Sequence, residues 1–72
     1  MAYVLTGATG HIGNNLARML TSQNEKVKLL VRKIDESIEG LDVEYIVGNV
    51  FDKEFLLKNI EKDDIVIYSL YQ

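Results

Sequence analysis

Glycine occupies every third position in the segment Thr6-Gly7-Ala8-Thr9-Gly10-His11-Ile12-Gly13. The apolar run Tyr3-Val4-Leu5 leads into it, and Ile12, Leu16, Met19 and Leu20 follow. A strand, a glycine turn and a helix in that order can cradle a phosphate. Lacking side chains, the glycines let backbone N–H groups approach a pyrophosphate, and the free N–H groups and positive dipole end of the helix hold its charge. The competing reading is a turn that only joins a strand to a helix. A glycine pattern alone is weak, and it gains weight from its place between an apolar strand and an amphipathic helix.

Other chemistry-bearing residues are few. Arg32 and Lys33 follow the apolar run Val27–Val31, and the first carboxylate after them is Asp35. The chain has one histidine, His11, and no cysteine, so neither a metal site nor a disulfide framework is expected. No Ser-His-Asp order, cysteine nucleophile, paired-carboxylate motif or P-loop Gly-Lys-Ser/Thr is present, and no catalytic residue is assigned. His11 has no carboxylate close in sequence to orient it. It is expected to line the entrance of a ligand site rather than to act as an acid or base.

Four short apolar runs must position these groups, and they alternate with helical or loop segments, the βαβ pattern of a parallel sheet. The strands are expected at Tyr3 to Thr6, Val27 to Val31, Val43 to Val47 and Ile65 to Leu70. Ile12, Leu16, Met19 and Leu20 share one stripe of a first helix that ends near Gln23 and Asn24. Residues 33 to 42 lack periodicity and should form a loop or a single helical turn. Asp52 is placed to cap a short second helix running to about Asn59, with Phe51 and Leu56 in the positions of a hydrophobic staple. Right-handed crossovers then give strand order 3-2-1-4 with one helix on each face. The fold class is therefore α/β, a partial Rossmann fold with a four-stranded parallel sheet, in one unit spanning residues 1–72.

The 72 residues carry a net charge of −3, and the isoelectric point near 4.9 disfavours nucleic acid as a partner. Lys26, Lys28, Arg32 and Lys33 are a local exception. No apolar stretch approaches the roughly 20 residues needed to cross a bilayer, so no membrane association and a cytoplasmic location are expected. A chain this short buries only about 60% of the surface its unfolded form exposes. Self-association is the expected compensation, through the uncovered apolar edge of the fourth strand from Ile65 to Leu70.

The spacing GxxGxxG differs from the GxGxxG of the dehydrogenase fingerprint. TGxxGxxG at the end of a first strand resembles the extended and atypical short-chain dehydrogenase/reductases, including sugar-nucleotide epimerases and NmrA-like proteins, and the likeness covers the whole chain. By that resemblance Gly7, Thr9, Gly10, His11, Ile12 and Gly13 surround the pyrophosphate of a dinucleotide. Ile12 would offer its backbone N–H while its side chain faces the core, and Gly13 would let the helix pack tightly on the strands. In such folds an acid ending strand 2 holds the ribose 2′-hydroxyl, and a cation suits a 2′-phosphate. Arg32 and Lys33 stand about 20 residues beyond Gly13, at that place, so NADP is favoured over NAD. Two cations could also simply mark a solvated strand end.

Gly48-Asn49-Val50 stands where the family has Gly-Asp-hydrophobic. The Asn49 amide oxygen could accept from the adenine amino group without charge, while Gly48-Asn49 is equally a good turn after any strand. Ser69 is the polar residue placed to meet the nicotinamide ribose. The family's Tyr-xxx-Lys pair has no counterpart, since Tyr68 is followed four residues on by Gln72 and neither Tyr3, Tyr45 nor Tyr71 has a lysine at that spacing. The expected function is an NADP(H)-binding N-terminal portion of a reductase or epimerase, inactive alone. The alternatives are a non-catalytic NADP-sensing NmrA-like module and a structural remnant that binds nothing.

Overall fold

The computed structural model describes residues 1–8 and 10–68. Thr9, Ser69 and the expected end of the fourth strand at Leu70 lie outside them. The elements are β1 (Tyr3–Thr6), α1 (His11–Ser22), β2 (Val27–Val31), β3 (Glu44–Val47), α2 (Lys53–Asn59) and β4 (Ile65–Ile67). All strand pairs are parallel and the order is β3-β2-β1-β4, as expected from right-handed crossovers. The first two strands have the expected bounds, and β3 begins one residue late, at Glu44.

β1 and β2 form the centre of the sheet, and their side chains alternate between two covered faces. Leu5, Val27, Leu29 and Val31 pack with Ala17 and Leu20 of α1, together with Ala8 and Ile38. Val4, Thr6 and Leu30, which the pleat turns the other way, are as deeply buried. Burial on both sides is why these strands read as nearly continuous apolar runs. The crossover rule puts α2 on this second face, where its Phe55 and Leu56 and the following Ile60 are half-buried.

The inward stripe of α1 is only in part the expected one, which holds at Leu20 and at the partly buried Leu16. Gly13, Ala17 and Leu20 are buried, whereas Ile12 is 70% and Met19 48% exposed. The Ile12 side chain therefore faces away from the core. Close approach of Gly13 to the turn rotates the helix so that its smallest residues meet the sheet. α1 ends in a Schellman motif, with Asn24 at φ +62° and bonds from Asn24 N to Thr21 O and from Glu25 N to Leu20 O. Asp52 caps α2 as expected, its side chain accepting from the Glu54 N–H at 3.0 Å. Phe51 is largely exposed, so the expected staple on Leu56 buries little.

The amino ends of the strands are tied by one buried carboxylate. Asp64, its side chain 1% exposed, accepts from the Ala2 N–H at 3.0 Å and the Glu61 N–H at 2.8 Å. It also lies 3.4 Å from Nζ of Lys28, a residue 7% exposed near the start of β2. Glu61 meets the same ammonium at 3.4 Å from solvent. The Glu61 N–H holds the Asp64 carboxyl below its ordinary range against the opposing effect of burial, helped by the Ala2 N–H and Lys28. For Lys28 burial disfavours the charge, but the two carboxylates together outweigh it and raise its pKa.

Candidate functional site

Parallel strands direct all their carboxyl ends to one edge, and the register shows which connections share it. Leu30 lies beside Thr6, so β2 leaves the sheet at Val31 and Arg32 alongside the turn at Gly7 and Ala8. Val47 lies beside Val31, and the Gly48 N–H donates to Val31 O at 2.8 Å. The glycine turn, Arg32 with Lys33, and Gly48-Asn49-Val50 thus occupy one edge, although they are far apart in the chain. In open α/β sheets ligands bind at this edge, where the strand order reverses. Here that point lies between β1 and β4.

Each glycine of the turn has its own reason. Gly7 sits at φ +74°, in the left-handed region that suits glycine. Gly10 is the N-cap residue of α1, donating to Gly7 O at 3.0 Å and accepting from the Asn14 N–H at 2.9 Å. At Gly13 a Cβ would stand 2.3 Å from the Gly7 carbonyl oxygen and 3.1 Å from the Ala8 Cα. The helix can approach the turn this closely only with glycine there. α1 has no side-chain cap and no acidic residue in its first turn. Its first N–H groups, those of His11, Ile12 and Gly13, lack intrahelical partners by the geometry of any helix. The result is a donor-rich end without a competing carboxylate.

Arg32 and Lys33 are exposed at the end of β2. The following acid, Asp35, is committed locally, its Oδ1 accepting from Ser37 Oγ at 2.6 Å and the Ser37 N–H at 2.9 Å. The Ser37 hydroxyl holds the Asp35 carboxyl below its usual range. Asn49 is also engaged, its Oδ1 accepting from the Phe51 N–H at 2.9 Å and its carbonyl from the Asp52 N–H. This is an Asx turn that leaves one lone pair of the amide oxygen and the amide N–H groups open. Val50 is half-buried beside it. Thr9 and Ser69 lie outside the described residues.

Sequence reasoning missed a second set of residues. A shallow groove beside the turn is lined by Gly10, His11, Asn14, Asn15, Arg18 and Ser37. Asn14 and Arg18, one turn apart on α1, both bond to the Ser37 carbonyl. Their spacing was the available signal, since polar side chains four residues apart share a helix flank. Among the described residues no cluster of His, Cys, Asp and Glu could hold a metal ion, and no helix is long and apolar enough to cross a membrane.

Residues 7–72 match a protein family described as NAD(P)H-binding. The chain is 36% identical over 63 residues to sterol demethylase protein B of Methylococcus capsulatus, which covers 85% of this chain and 19% of that protein. It is 35% identical over 52 residues to a putative dihydroflavonol 4-reductase of Synechocystis sp., covering 69% of this chain and 15% of that one. It thus spans less than a fifth of the length of either relative. The family match begins at Gly7, inside the turn, and continues through every later element of the fold. The chain belongs to the NAD(P)H-binding family, in keeping with its resemblance to reductase- and epimerase-like short-chain dehydrogenases.

Proposed function

We propose that this chain binds NADP(H) as the cofactor-holding portion of a short-chain dehydrogenase/reductase-like oxidoreductase or epimerase. The observation that carries this reading is the first turn of α1, which has no side-chain cap and no acidic residue, with the exposed Arg32 and Lys33 on the same edge of the sheet. The pyrophosphate is held by Gly7, Gly10 and the N–H groups of His11, Ile12 and Gly13, and by the family resemblance Thr9 would join them while Ser69 would meet the nicotinamide ribose. Arg32 and Lys33 take the 2′-phosphate, and Asn49 and Val50 flank the adenine. Bound there, the dinucleotide would supply or accept hydride. This chain's residues bind and orient it, and the likeness to a putative dihydroflavonol 4-reductase supports a reductive role.

Titration with NADP and NAD, followed through the amide NMR shifts of the Gly7 to Gly13 segment, tests the proposal. NADP is expected to move the His11, Ile12 and Gly13 amides at lower ligand concentration than NAD. Arg32→Glu replaces a bidentate phosphate donor with a repelling charge, and is expected to weaken NADP binding by about tenfold or more. No shift with either nucleotide at millimolar concentration would overturn the proposal in favour of a structural remnant.

Association between copies belongs to the same reading. Among the described residues β4 pairs with β1 alone, and its Ile65 and Val66 are 41% and 43% exposed. An apolar edge of this kind favours strand addition. Two copies are expected to pair along β4 in sedimentation at micromolar concentration, and Val66→Lys to shift the population to monomer. A wild-type chain that sediments as a single monomeric species would exclude this pairing.

A further inference from the structure

The connection from β2 to β3 has no regular structure, yet it is fixed at both ends of its course. Near Asp35 it is fastened to α1. Asn14 Nδ2 donates to the Ser37 carbonyl at 2.7 Å, Arg18 Nη2 donates to the same oxygen at 2.9 Å, and Arg18 Nε donates to Asn14 Oδ1 at 2.8 Å. Further on, Ile38 is fully buried, and the Tyr45 hydroxyl donates to its carbonyl while accepting from the Leu41 N–H at 2.9 Å. The Ile38 and Tyr45 contacts account for the stability of the loop. Two exposed hydrogen bonds to one carbonyl, with a third joining the two side chains that donate them, add little to it, because each exchanges with water.

What these bonds do fix is the path of residues 32–37 relative to the first turn of α1. The path begins at Arg32 and Lys33 and contains Asp35, the acid nearest in sequence to the end of β2. Ser37 acts in two directions. Its carbonyl is held by α1, and its N–H and hydroxyl hold the Asp35 carboxylate. A carboxylate released at the end of β2 would repel a 2′-phosphate and would accept from a 2′-hydroxyl instead.

We infer that the Asn14–Arg18–Ser37 clip positions this loop for cofactor selection, keeping the two cations turned to a 2′-phosphate and the Asp35 carboxylate withdrawn from it. Asn14, Arg18 and Ser37 are positioning residues that act through Arg32, Lys33 and Asp35. The inference rests on the NADP reading above.

The experiment compares NADP and NAD dissociation constants for the wild type and the double variant Asn14→Ala/Arg18→Met. The variant is expected to lose about tenfold in NADP affinity while NAD affinity stays within about twofold, so the selectivity ratio falls. Equal losses for both nucleotides mean a merely structural clip and overturn the inference. A second variant leaves the α1 contacts intact. Ser37→Ala removes the hydroxyl from Asp35 and is expected to narrow the ratio several-fold, with Asp35→Asn restoring it in the same background. A ratio unchanged by Ser37→Ala also overturns the inference. Should the wild type show no NADP preference, the underlying reading falls and the clip with it; a wild-type preference that survives both variants removes the clip alone.

Discussion

Gly13→Ala is expected to destabilise the fold by about 1–3 kcal/mol, as overpacking of a close contact does, and to abolish dinucleotide binding together with it. The added Cβ would lie 2.3 Å from the Gly7 carbonyl oxygen and 2.9 Å from its carbon. Both are backbone atoms, so no side-chain rotation relieves the contact. Either α1 lifts from the sheet or Gly7 abandons its left-handed conformation. Lifting α1 separates Ala17 and Leu20 from Leu5, Leu29 and Val31, and moving Gly7 redirects the turn. Both routes spoil the cradle. Gly48→Ala is the fitting control, because the three atoms nearest its Cβ would all belong to the ring of Phe55, a half-buried side chain on α2 that can turn aside. Urea unfolding monitored by circular dichroism, with NADP titration of the folded fraction, checks the pair. A Gly13→Ala protein that matches the wild type in both measurements would refute the close-packing account.

The second large effect is expected at the opposite end of the sheet. Asp64→Asn removes the charge facing Lys28 and one of the two oxygens that accept from Ala2 and Glu61. It leaves a buried ammonium opposite only the exposed Glu61. The loss is expected to be marked at neutral pH and to shrink as pH falls. Asp64 has a folded pKa below its unfolded value, so its contribution is present above the unfolded value of about 3.9 and is lost as pH drops through the folded one. In the acid limit the wild-type side chain is a neutral carboxylic acid, close to the asparagine in charge and shape. The gap between wild type and variant in urea midpoint should therefore be wide at pH 7 and narrow progressively as pH falls below about 3.9, through the depressed folded pKa of Asp64. Lys28, whose folded pKa is raised, gives the complementary loss as pH climbs above about 10.4. Lys28→Met should be milder than Asp64→Asn, because Asp64 keeps both backbone donors and an apolar chain fills the lysine's place. A gap for Asp64→Asn that does not vary with pH would show that the carboxylate acts by shape alone.

Local patterns were legible wherever a short-range rule decides the outcome. The bounds of β1 and β2 follow from apolar runs covered on both faces, the cap at Asp52 from its own side chain, and the end of α1 from the residue at Asn24 that accepts a positive φ. The strand order followed from the handedness of crossovers, a property of any L-polypeptide. The rotation of α1 was not legible in the same way. Ile12, Leu16, Met19 and Leu20 form an acceptable helical stripe, and only the backbone contact between Gly13 and Gly7 shows that Gly13 and Ala17 turn inward beside Leu16 and Leu20 while Ile12 and Met19 face out. Nor could the sequence show that Asp35, Asn49 and Ser37 already spend acceptors and donors on the loops around them.

The amino-acid sequence by itself determined the kind of site. Glycine spacing, an apolar strand and an amphipathic helix are local features, and together they specify a strand, glycine turn and helix of the kind that can cradle a phosphate. The tertiary structure decided what surrounds that turn. Parallel pairing brings Arg32 and Asn49 to the edge that holds Gly7, and α1 reaches across to Ser37 to set the loop between them. These groups are distant in the chain. Their meeting depends on strand register and on how closely one helix can approach one turn, quantities that no local pattern of residues encodes.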